Sequence, residues 1–394
     1  MMFRSGRLPR DLSLNRLAEA RARMSEIPFD LTQSNPTACG IPYPPEILRG
    51  LGDPRGLLYE PDPRGLRPAR TAIAAGYRRW GVEVDPDHVI LTASTSEAYS
   101  FLFRLLADPG DAILVPAPSY PLFGHLLRLD SIEARTYALD PDDGWRIDFS
   151  ILERQGESVR AVIVVHPNNP TGSFVHPEDR DRLAALCRDR GWAIIADEVF
   201  LPYPLDDNPE DDASFTDIHD CLCFTLGGLS KSVGLPQVKL AWIVASGPDD
   251  EVTAALEGLE YIADAYLSVS TPVAAAAPRL LSEGTTVYEA IRARCRANLE
   301  ALRRLAADHP SIDVLPVGGG WSVVLRVPTV IGEKELCLRM LEGRGVAVHP
   351  GLFFGFPCEG FLVISLLPPE NVFNEGAFSC LDEITSSAGY TEPR

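Results

Sequence analysis

Two lysines stand close together in the segment GLSKSVGLPQVKLAW, residues 228–242. They are Lys231 and Lys239, and with Lys334 they are the only lysines among 36 basic residues, the others being arginine. An amine near an apolar wall has a lowered pKa, and its neutral form is a nucleophile that a guanidinium cannot replace. Because Lys231 follows the apolar run CLCFTL, it is a candidate nucleophile; a salt bridge or an exposed position is the alternative.

A hydroxyl-rich segment follows another apolar run, HVILT at residues 88–92. Ser94 and Glu97 have the S-x-x-E spacing of a capping box, and Ser94, Thr95 and Ser96 crowd the predicted start of a helix. Free N–H groups at a helix N-terminus, together with hydroxyls, can bind a phosphate. The segment therefore predicts either a phosphate site or an ordinary helix cap.

Three further side chains follow apolar runs in the same way. Tyr120 comes after AILVP, Asn169 lies in PNNPTG after AVIVVH, and Asp197 ends the run WAIIAD. The ring of Tyr120 could stack on a flat ligand or merely fill space, and the amide of Asn169 could face a cleft from a segment with strong turn chemistry. Asp197 could cap a helix, but if it is buried it needs a cationic partner.

The elements that must position these residues are apolar runs alternating with amphipathic stretches between residues 88 and 245. This pattern predicts an α/β lobe with a mainly parallel, seven-stranded sheet covered on both faces. Ligands of such sheets bind beyond the carboxyl ends of the strands, where the residues above lie. We expect an N-terminal segment (1–50) that joins a smaller α+β lobe, a large domain (51–280) and a small C-terminal domain (281–394).

Composition excludes several classes of function. The net charge of −19 repels nucleic acid and anionic lipid, and no apolar run approaches the roughly 20 residues that span a bilayer. The N-terminus lacks the apolar core of a secretory signal, so we expect a cytoplasmic protein. The eight cysteines are scattered without a C-x-x-C pair, which indicates neither a disulfide framework nor a metal site.

The candidate residues together fit one cofactor, pyridoxal 5′-phosphate (PLP). PLP needs a lysine for its aldehyde, a carboxylate for its ring nitrogen, a helix N-terminus for its phosphate and a flat neighbour for its ring, and an asparagine can bind its phenolic oxygen. Other common cofactors are not indicated, because no G-x-G-x-x-G follows a strand and neither G-x-x-x-x-G-K-[ST] nor H-E-x-x-H occurs.

The motifs NNPTG, ADEVF and GLSK…GLP occur in an order and at a spacing that resemble the class I and II aminotransferases, PLP enzymes of fold type I. The resemblance covers nearly the whole chain. It implies that Lys231 forms the Schiff base and shuttles protons, Asp197 pairs with the ring nitrogen, Asn169 binds the phenolic oxygen and Tyr120 stacks on the ring. The residues that it implies for the phosphate are Ser94, Thr95, Ser96, Ser230 and Lys239.

The same resemblance implies a homodimer. Tyr59, in YEPDPRGLRPAR, is similar to the family's tyrosine that reaches the phosphate in the neighbouring subunit's site. The expected partners are thus a second copy of the chain, a small amine or amino acid, and an oxo acid.

Five positions depart from the family pattern. The last strand of the family usually carries an arginine that grips the substrate carboxylate with two parallel hydrogen bonds, and here the position is Val363. The tyrosine expected two residues after DE is Phe200, which still lies at a cofactor-binding position. Gly228 stands where a serine is expected, Ser34 where a glycine is usual, and Lys239 in place of a phosphate-binding arginine.

Because position 363 is valine, the sequence does not identify the substrate, and three alternatives follow. The amino donor lacks an α-carboxylate, or a cation other than the usual arginine binds that carboxylate, or the reaction is not transamination. Arg64 and Arg67 are the candidates for such a cation. Asn35 could add a polar contact to the substrate, although a turn role is the alternative.

We therefore expect an aminotransferase, with another PLP-dependent reaction (a lyase, decarboxylase or oxidase) as the alternative. A third hypothesis is a non-catalytic ligand sensor on this fold. Such a sensor would need a DNA-binding domain, and the roughly 30 residues ahead of the matched region are too few for one. A non-catalytic protein would also be expected to lack Lys231 or Asp197, and both residues are present.

Overall fold

The computed structural model describes residues 5–205 and 213–389. The ends of two predicted units, residues 1–4 of the N-terminal segment and 390–394 of the C-terminal domain, lie outside this range. The domain limits themselves stay a prediction.

Secondary structure in the described part of the chain falls into three sets. The strands, numbered β1 to β14 in chain order, are Phe29–Asp30, Val89–Thr92, Ala112–Ala117, Glu133–Asp140, Arg146–Ile147, Val159–Val165, Ala193–Asp197, Cys223–Gly228, Ala241–Ser246, Asp313–Val314, Ser322–Arg326, Val346–Ala347, His349–Pro350 and Phe361–Ser365. The α-helices, numbered α1 to α12, are Arg16–Arg23, Arg67–Gly76, Thr95–Leu106, Phe123–Leu129, Phe149–Glu153, Pro177–Arg190, Leu229–Ser232, Asp249–Asp264, Thr271–Glu283, Thr285–Ala306, Glu333–Arg339 and Glu370–Ser387. Short 3₁₀ segments are Pro36–Ala38, Pro45–Gly52, Pro54–Leu57, Tyr77–Trp80, Pro86–His88, Phe215–Asp217, Pro236–Val238 and Gly351–Phe354, and Met340–Arg344 is a π turn.

The large sheet has the strand order β2-β9-β8-β7-β6-β3-β4-β5. Neighbours from β8 to β4 are parallel, whereas β9, β2 and β5 pair antiparallel with their neighbours. Every residue of β7 and β8 is buried, which explains why these strands read as continuous apolar runs. The mainly parallel sheet is thus confirmed, but the strand number is corrected from seven to eight. The added strand β5 has two residues, too few to show any periodicity.

A second sheet, with the order β10-β11-β14-β13, is antiparallel and belongs to the predicted smaller α+β lobe. Helix α10 packs on α12 beside it. The N-terminal segment is tied to this part of the chain, because β1 pairs with β12 through Phe29–Val346 and Asp30–Ala347.

Two contacts hold the loops that surround the site. The Asn298 side chain, fully buried in α10, donates to the carbonyls of Leu366 and Pro368 (both 2.9 Å), just after β14. Gly172 has φ +68°, and a Cβ there would lie 2.3 Å from Val317 Cγ2 and 2.5 Å from the carbonyl of Gly319. Glycine is therefore required where the PNNPTG loop meets the turn before β11.

Among the described helices, none is both long and apolar enough to cross a membrane. Over the same residues, no group of three or more His, Cys, Asp or Glu side chains is arranged to hold a metal ion.

Candidate active site

A cavity of about 370 Å³ lies at the carboxyl ends of the parallel strands, between the two sheets. Its floor comes from the ends of β6, β7 and β8, and its opposite wall comes from β11, β13 and β14. The residues that line it are Thr32, Ser34, Thr95, Tyr120, Pro121, Val165, Asn169, Asp197, Val199, Phe200, Gly228, Ser230, Lys231, Ala241, Trp321, Ser322, His349, Phe353, Phe354, Val363 and Ser365.

Lys231 lies on the short helix α7, which begins directly after β8. Its Nζ is 4.6 Å from the ring centre of Trp321 and 5.5 Å from that of Phe200. Burial against these surfaces lowers its pKa from 10.5 to about 8, and the negative charge of Asp197 opposes part of this shift. Near neutral pH a larger fraction of the Lys231 side chains is therefore neutral and nucleophilic than for a free lysine.

Asp197 is the last residue of β7 and is buried. The Tyr99 hydroxyl donates to its Oδ2 (2.9 Å) and the Val199 N–H donates to its Oδ1 (3.1 Å). Burial raises the pKa of this carboxyl, while the two hydrogen bonds and the charge of Lys231 lower it. The carboxylate is thus held in fixed orientation at the cavity, where a cationic ligand group would replace the lost hydration.

The loops that carry Tyr120 and Asn169 are joined by the neighbouring Asn168. The Asn168 amide donates to the carbonyl of Pro118 (3.0 Å) and to the Thr171 hydroxyl (2.8 Å), and its Oδ1 accepts from Ser119 (2.7 Å). Asn168 is buried and committed to loop structure, whereas Asn169 lines the cavity. The structural role in the turn thus belongs to Asn168, and the amide that lines the cavity belongs to the adjacent Asn169.

The N-terminus of α3 forms the predicted capping box only in part, because the Glu97 carboxylate bonds to the residue before the N-cap and not to the N–H of Ser94 itself. Ser94 Oγ accepts from the Glu97 N–H (3.2 Å), and Glu97 Oε2 accepts from the Ala93 N–H (2.7 Å). The first-turn N–H groups of Thr95 and Ser96 have no partner within the helix, and Thr95 lines the cavity. The helix end therefore offers N–H groups and hydroxyls to an anion.

Seven of the predicted site residues meet in the cavity wall: Thr95, Tyr120, Asn169, Asp197, Phe200, Ser230 and Lys231. Ser94 and Ser96 flank Thr95 without being part of the wall. Lys239, with φ +59°, is exposed and also lies outside the wall.

Three other predicted residues lie away from the cavity. Tyr59 is 71% exposed on the surface. The Asn35 side chain accepts from the Thr37 N–H and hydroxyl, so it caps a 3₁₀ turn, the alternative role considered for it. Arg64 donates to Glu260 (2.7 Å) and to the Asp87 carbonyl (3.1 Å).

Sequence reasoning missed residues of the wall, among them Trp321 and His349, and also Tyr99, which supports Asp197 from outside the wall. Tyr99 escaped notice because it lies on the buried face of α3, although a hydroxyl on an apolar face is itself a signal that a polar partner is near. Trp321 directly precedes β11 and His349 begins β13, both far along the chain, and no local pattern connects them to Lys231.

Comparison with known proteins agrees with this architecture. The sequence profile described as "Aminotransferase class I and II" matches residues 35–374. The chain is 29% identical over 359 residues to the glutamate-pyruvate aminotransferase AlaA of Haemophilus influenzae, covering 88% of this chain and 87% of that protein. It is 27% identical over 350 residues to an alanine aminotransferase of Mycobacterium bovis, covering 86% and 81%.

Solved structures share the fold. An aminotransferase from Escherichia coli superposes with a TM-score of 0.84 at 24% identity, with all of both chains covered. The alanine aminotransferase from Pyrococcus furiosus gives a TM-score of 0.82 at 22% identity, covering 94% of this chain and 95% of that one.

Proposed function

Because the chain belongs to the class I and II aminotransferase family, we propose that it transfers an amino group from an amine or amino acid donor to an oxo acceptor, with PLP as cofactor and Lys231 as the reacting amine. The relatives' names support amino-group transfer. Their substrates, named as alanine, glutamate and pyruvate, are one possibility among donors and acceptors of this kind.

The donor set in the cavity fits PLP. The buried Asp197 carboxylate suits a pyridinium nitrogen, and Asn169 suits the phenolic oxygen. The open N–H groups at the start of α3, with Thr95 and the nearby Ser230 hydroxyl, suit a phosphate. These groups lie on one wall of one cavity, which supports their use by a single ligand.

When bound, PLP supplies an electron sink for a carbanion at the donor carbon. Lys231 would hold the cofactor and, when its amine is free, would move a proton to or from the amino-bearing carbon of the donor. Its pKa of about 8 suits both directions near neutral pH. Asp197, held by Tyr99 and Val199, would place a negative charge beside the ring nitrogen. Trp321 and Phe200 present ring surface beside the Lys231 amine.

One observation carries the proposal: a lysine with a lowered pKa and a buried, doubly hydrogen-bonded aspartate line the same cavity. Structural ion pairs also perturb pKa values, but here no direct hydrogen bond joins Lys231 to Asp197 among the contacts of the described residues. A ligand between them would account for both groups.

A two-step assay tests the proposal. Holoenzyme mixed with donor alone should accumulate pyridoxamine phosphate, and an added oxo acid should return it to PLP. Lys231→Ala should abolish both steps, whereas Lys334→Ala, the same change at an exposed lysine of α11, should leave both unchanged. Ammonia, carbon dioxide or peroxide released without an oxo acceptor would instead establish one of the other PLP-dependent reactions.

We further propose a cytoplasmic homodimer that shares its active sites through Tyr59. Leu57, Leu58 and Tyr59 are 90%, 60% and 71% exposed, and Tyr59 borders a depression with Ala263 and Leu267. Such an apolar patch is typical of a protein interface. Light scattering should give twice the 43.0 kDa chain mass, and Leu57→Asp should shift the mass toward one chain. A monomeric wild type would contradict the shared site.

A further inference from the structure

The second wall of the cavity has no strong cation. Val363, in the middle of β14, is 2% exposed and pairs with Val324 on one side and His349 on the other. Among the described residues that line the cavity, Lys231 and His349 are the only basic side chains, and none is an arginine. Lys231 is committed to the amine chemistry proposed above, so His349 alone remains on this wall.

His349 is a poor counter-charge for an anion. Burial lowers its pKa, with the charge of Arg21 acting in the same direction and that of Asp30 opposing it. Its ring contacts Phe353 and Phe354 at 6.3 and 5.8 Å between ring centres. The side chain is therefore mostly neutral near pH 7 and forms part of an aromatic surface.

The arginines considered for a substrate carboxylate are engaged elsewhere. Arg64 is paired with Glu260, and Arg67 is paired with Asp87. Neither lines the cavity of its own chain, and in the proposed dimer each would reach the neighbouring site only by giving up its carboxylate partner. A carboxylate brought into this wall would lose hydration without gaining a charged partner, and the buried Asp197 carboxylate and the overall charge of −19 add repulsion.

The same wall is well suited to an apolar body. Trp321, Phe353, Phe354 and Val363 present aromatic and aliphatic surface on this wall, and Phe200 adds an aromatic ring beside Lys231. The Ser365 hydroxyl, which also lies here, already donates to the carbonyl of Gln33 (2.6 Å). A ligand group on this side gains mainly by removing apolar surface from water.

We propose that the amino donor is a primary amine with an aromatic or branched aliphatic body and no carboxylate on the amino-bearing carbon. The proposal rests on the aminotransferase function. It assigns to Val363, with His349, Phe353 and Phe354, the discrimination against α-amino acids. Discrimination follows because an α-carboxylate would be left unpaired beside Val363.

Donor pairs that differ only in the carboxylate test the proposal. Holoenzyme is mixed with 2-phenylethylamine or L-phenylalanine, and with 3-methylbutylamine or L-leucine, and loss of the PLP absorbance is followed in a single turnover. The amine of each pair should react with a second-order rate constant at least about tenfold higher, the difference expected from one unpaired charge. An amino acid that reacts as fast as its amine or faster overturns the substrate class but leaves the transferase function intact. L-Alanine and L-glutamate are run beside the pairs: if only these two react, the substrate class is overturned and the transferase function stands, and if none of the six donors reacts, both proposals fail.

Binding provides a readout independent of turnover. Calorimetry with 3-phenylpropionate and 3-phenylpropan-1-ol should show tighter binding of the neutral alcohol to the wild-type holoenzyme. Val363→Arg should strengthen 3-phenylpropionate binding at least about tenfold and shift the donor preference toward L-phenylalanine. Val363→Leu, which adds size without charge, should do neither. Tight carboxylate binding by the wild type, or by the leucine variant to the same degree as the arginine variant, would contradict the role of Val363. If Val363→Arg does not fold, the wild-type comparisons still decide the matter.

Discussion

The hydrogen bond between Tyr99 and Asp197 gives a quantitative prediction. Tyr99→Phe removes the hydroxyl that donates to Asp197 Oδ2 (2.9 Å) and leaves the Val199 N–H as donor. Tyr99 is 1% exposed, so water does not readily replace it. A hydrogen bond to a buried charge contributes about 1.5–3 kcal/mol. Without it the pKa of Asp197, which burial already raises, rises further, so a charged carboxylate beside a pyridinium ligand becomes more costly to hold. The Kd for PLP should therefore rise roughly 10- to 150-fold.

Titration of the apoprotein with PLP, followed by absorbance, measures this change. Tyr137→Phe is a matched control, because Tyr137 is also 1% exposed and its hydroxyl donates to the Ile163 carbonyl (2.7 Å), away from Asp197. Both variants should lose about 1 kcal/mol or more of unfolding free energy, but only Tyr99→Phe should bind PLP more weakly. Equal PLP affinities in the two variants would refute the role given to Tyr99.

Three further changes have defined outcomes. Asp197→Asn removes the charge that opposes the lowering of the Lys231 pKa, so the pH midpoint for PLP attachment to the apoprotein should move below about 8; an upward shift would contradict this. Burial raises the pKa of Glu198 from 4.5 to about 7, so its stabilising contribution is complete below pH 4.5 and is lost as the pH rises through 7. The difference in free energy of unfolding between Glu198→Gln and the wild type, measured in urea, should therefore be about 1–3 kcal/mol more favourable to the variant at pH 8 than at pH 4. An equal difference at both pH values would argue against the raised pKa of Glu198. Asn298→Ala removes two buried hydrogen bonds and should cost about 2–4 kcal/mol of stability, and an unchanged urea midpoint would show that the loop after β14 is held by other contacts.

The polar residues at the ends of the buried strands could be predicted because each follows a run of apolar residues. Asp197 and Asn169 follow runs whose apolar character specifies a covered parallel sheet, and the sheet then brings their side chains to one edge. Lys231 could be predicted for the same reason and because lysine is rare in this chain. Here local pattern and global fold agree, so the sequence alone suffices.

The second wall could not be predicted, because it depends on pairing between distant strands. His349 lies beside Val363 through the register of β13 and β14, and Trp321, just before β11, contacts Lys231 from about 90 residues further along the chain. The roles of Arg64 and Asn35 also depended on neighbours that spacing does not reveal: Glu260 is nearly 200 residues from Arg64. Strand β5 was missed because two residues carry no period.

The most direct test of the central claim is to find which residue holds the cofactor. The enzyme is incubated with PLP, reduced with borohydride, digested and mapped by mass spectrometry. The presence of only three lysines makes the assignment unambiguous. We predict that the reduced cofactor is attached to Lys231 and that Lys231→Ala carries no such label. Stoichiometric label on Lys239 or Lys334, or no label on the wild type, would contradict the account.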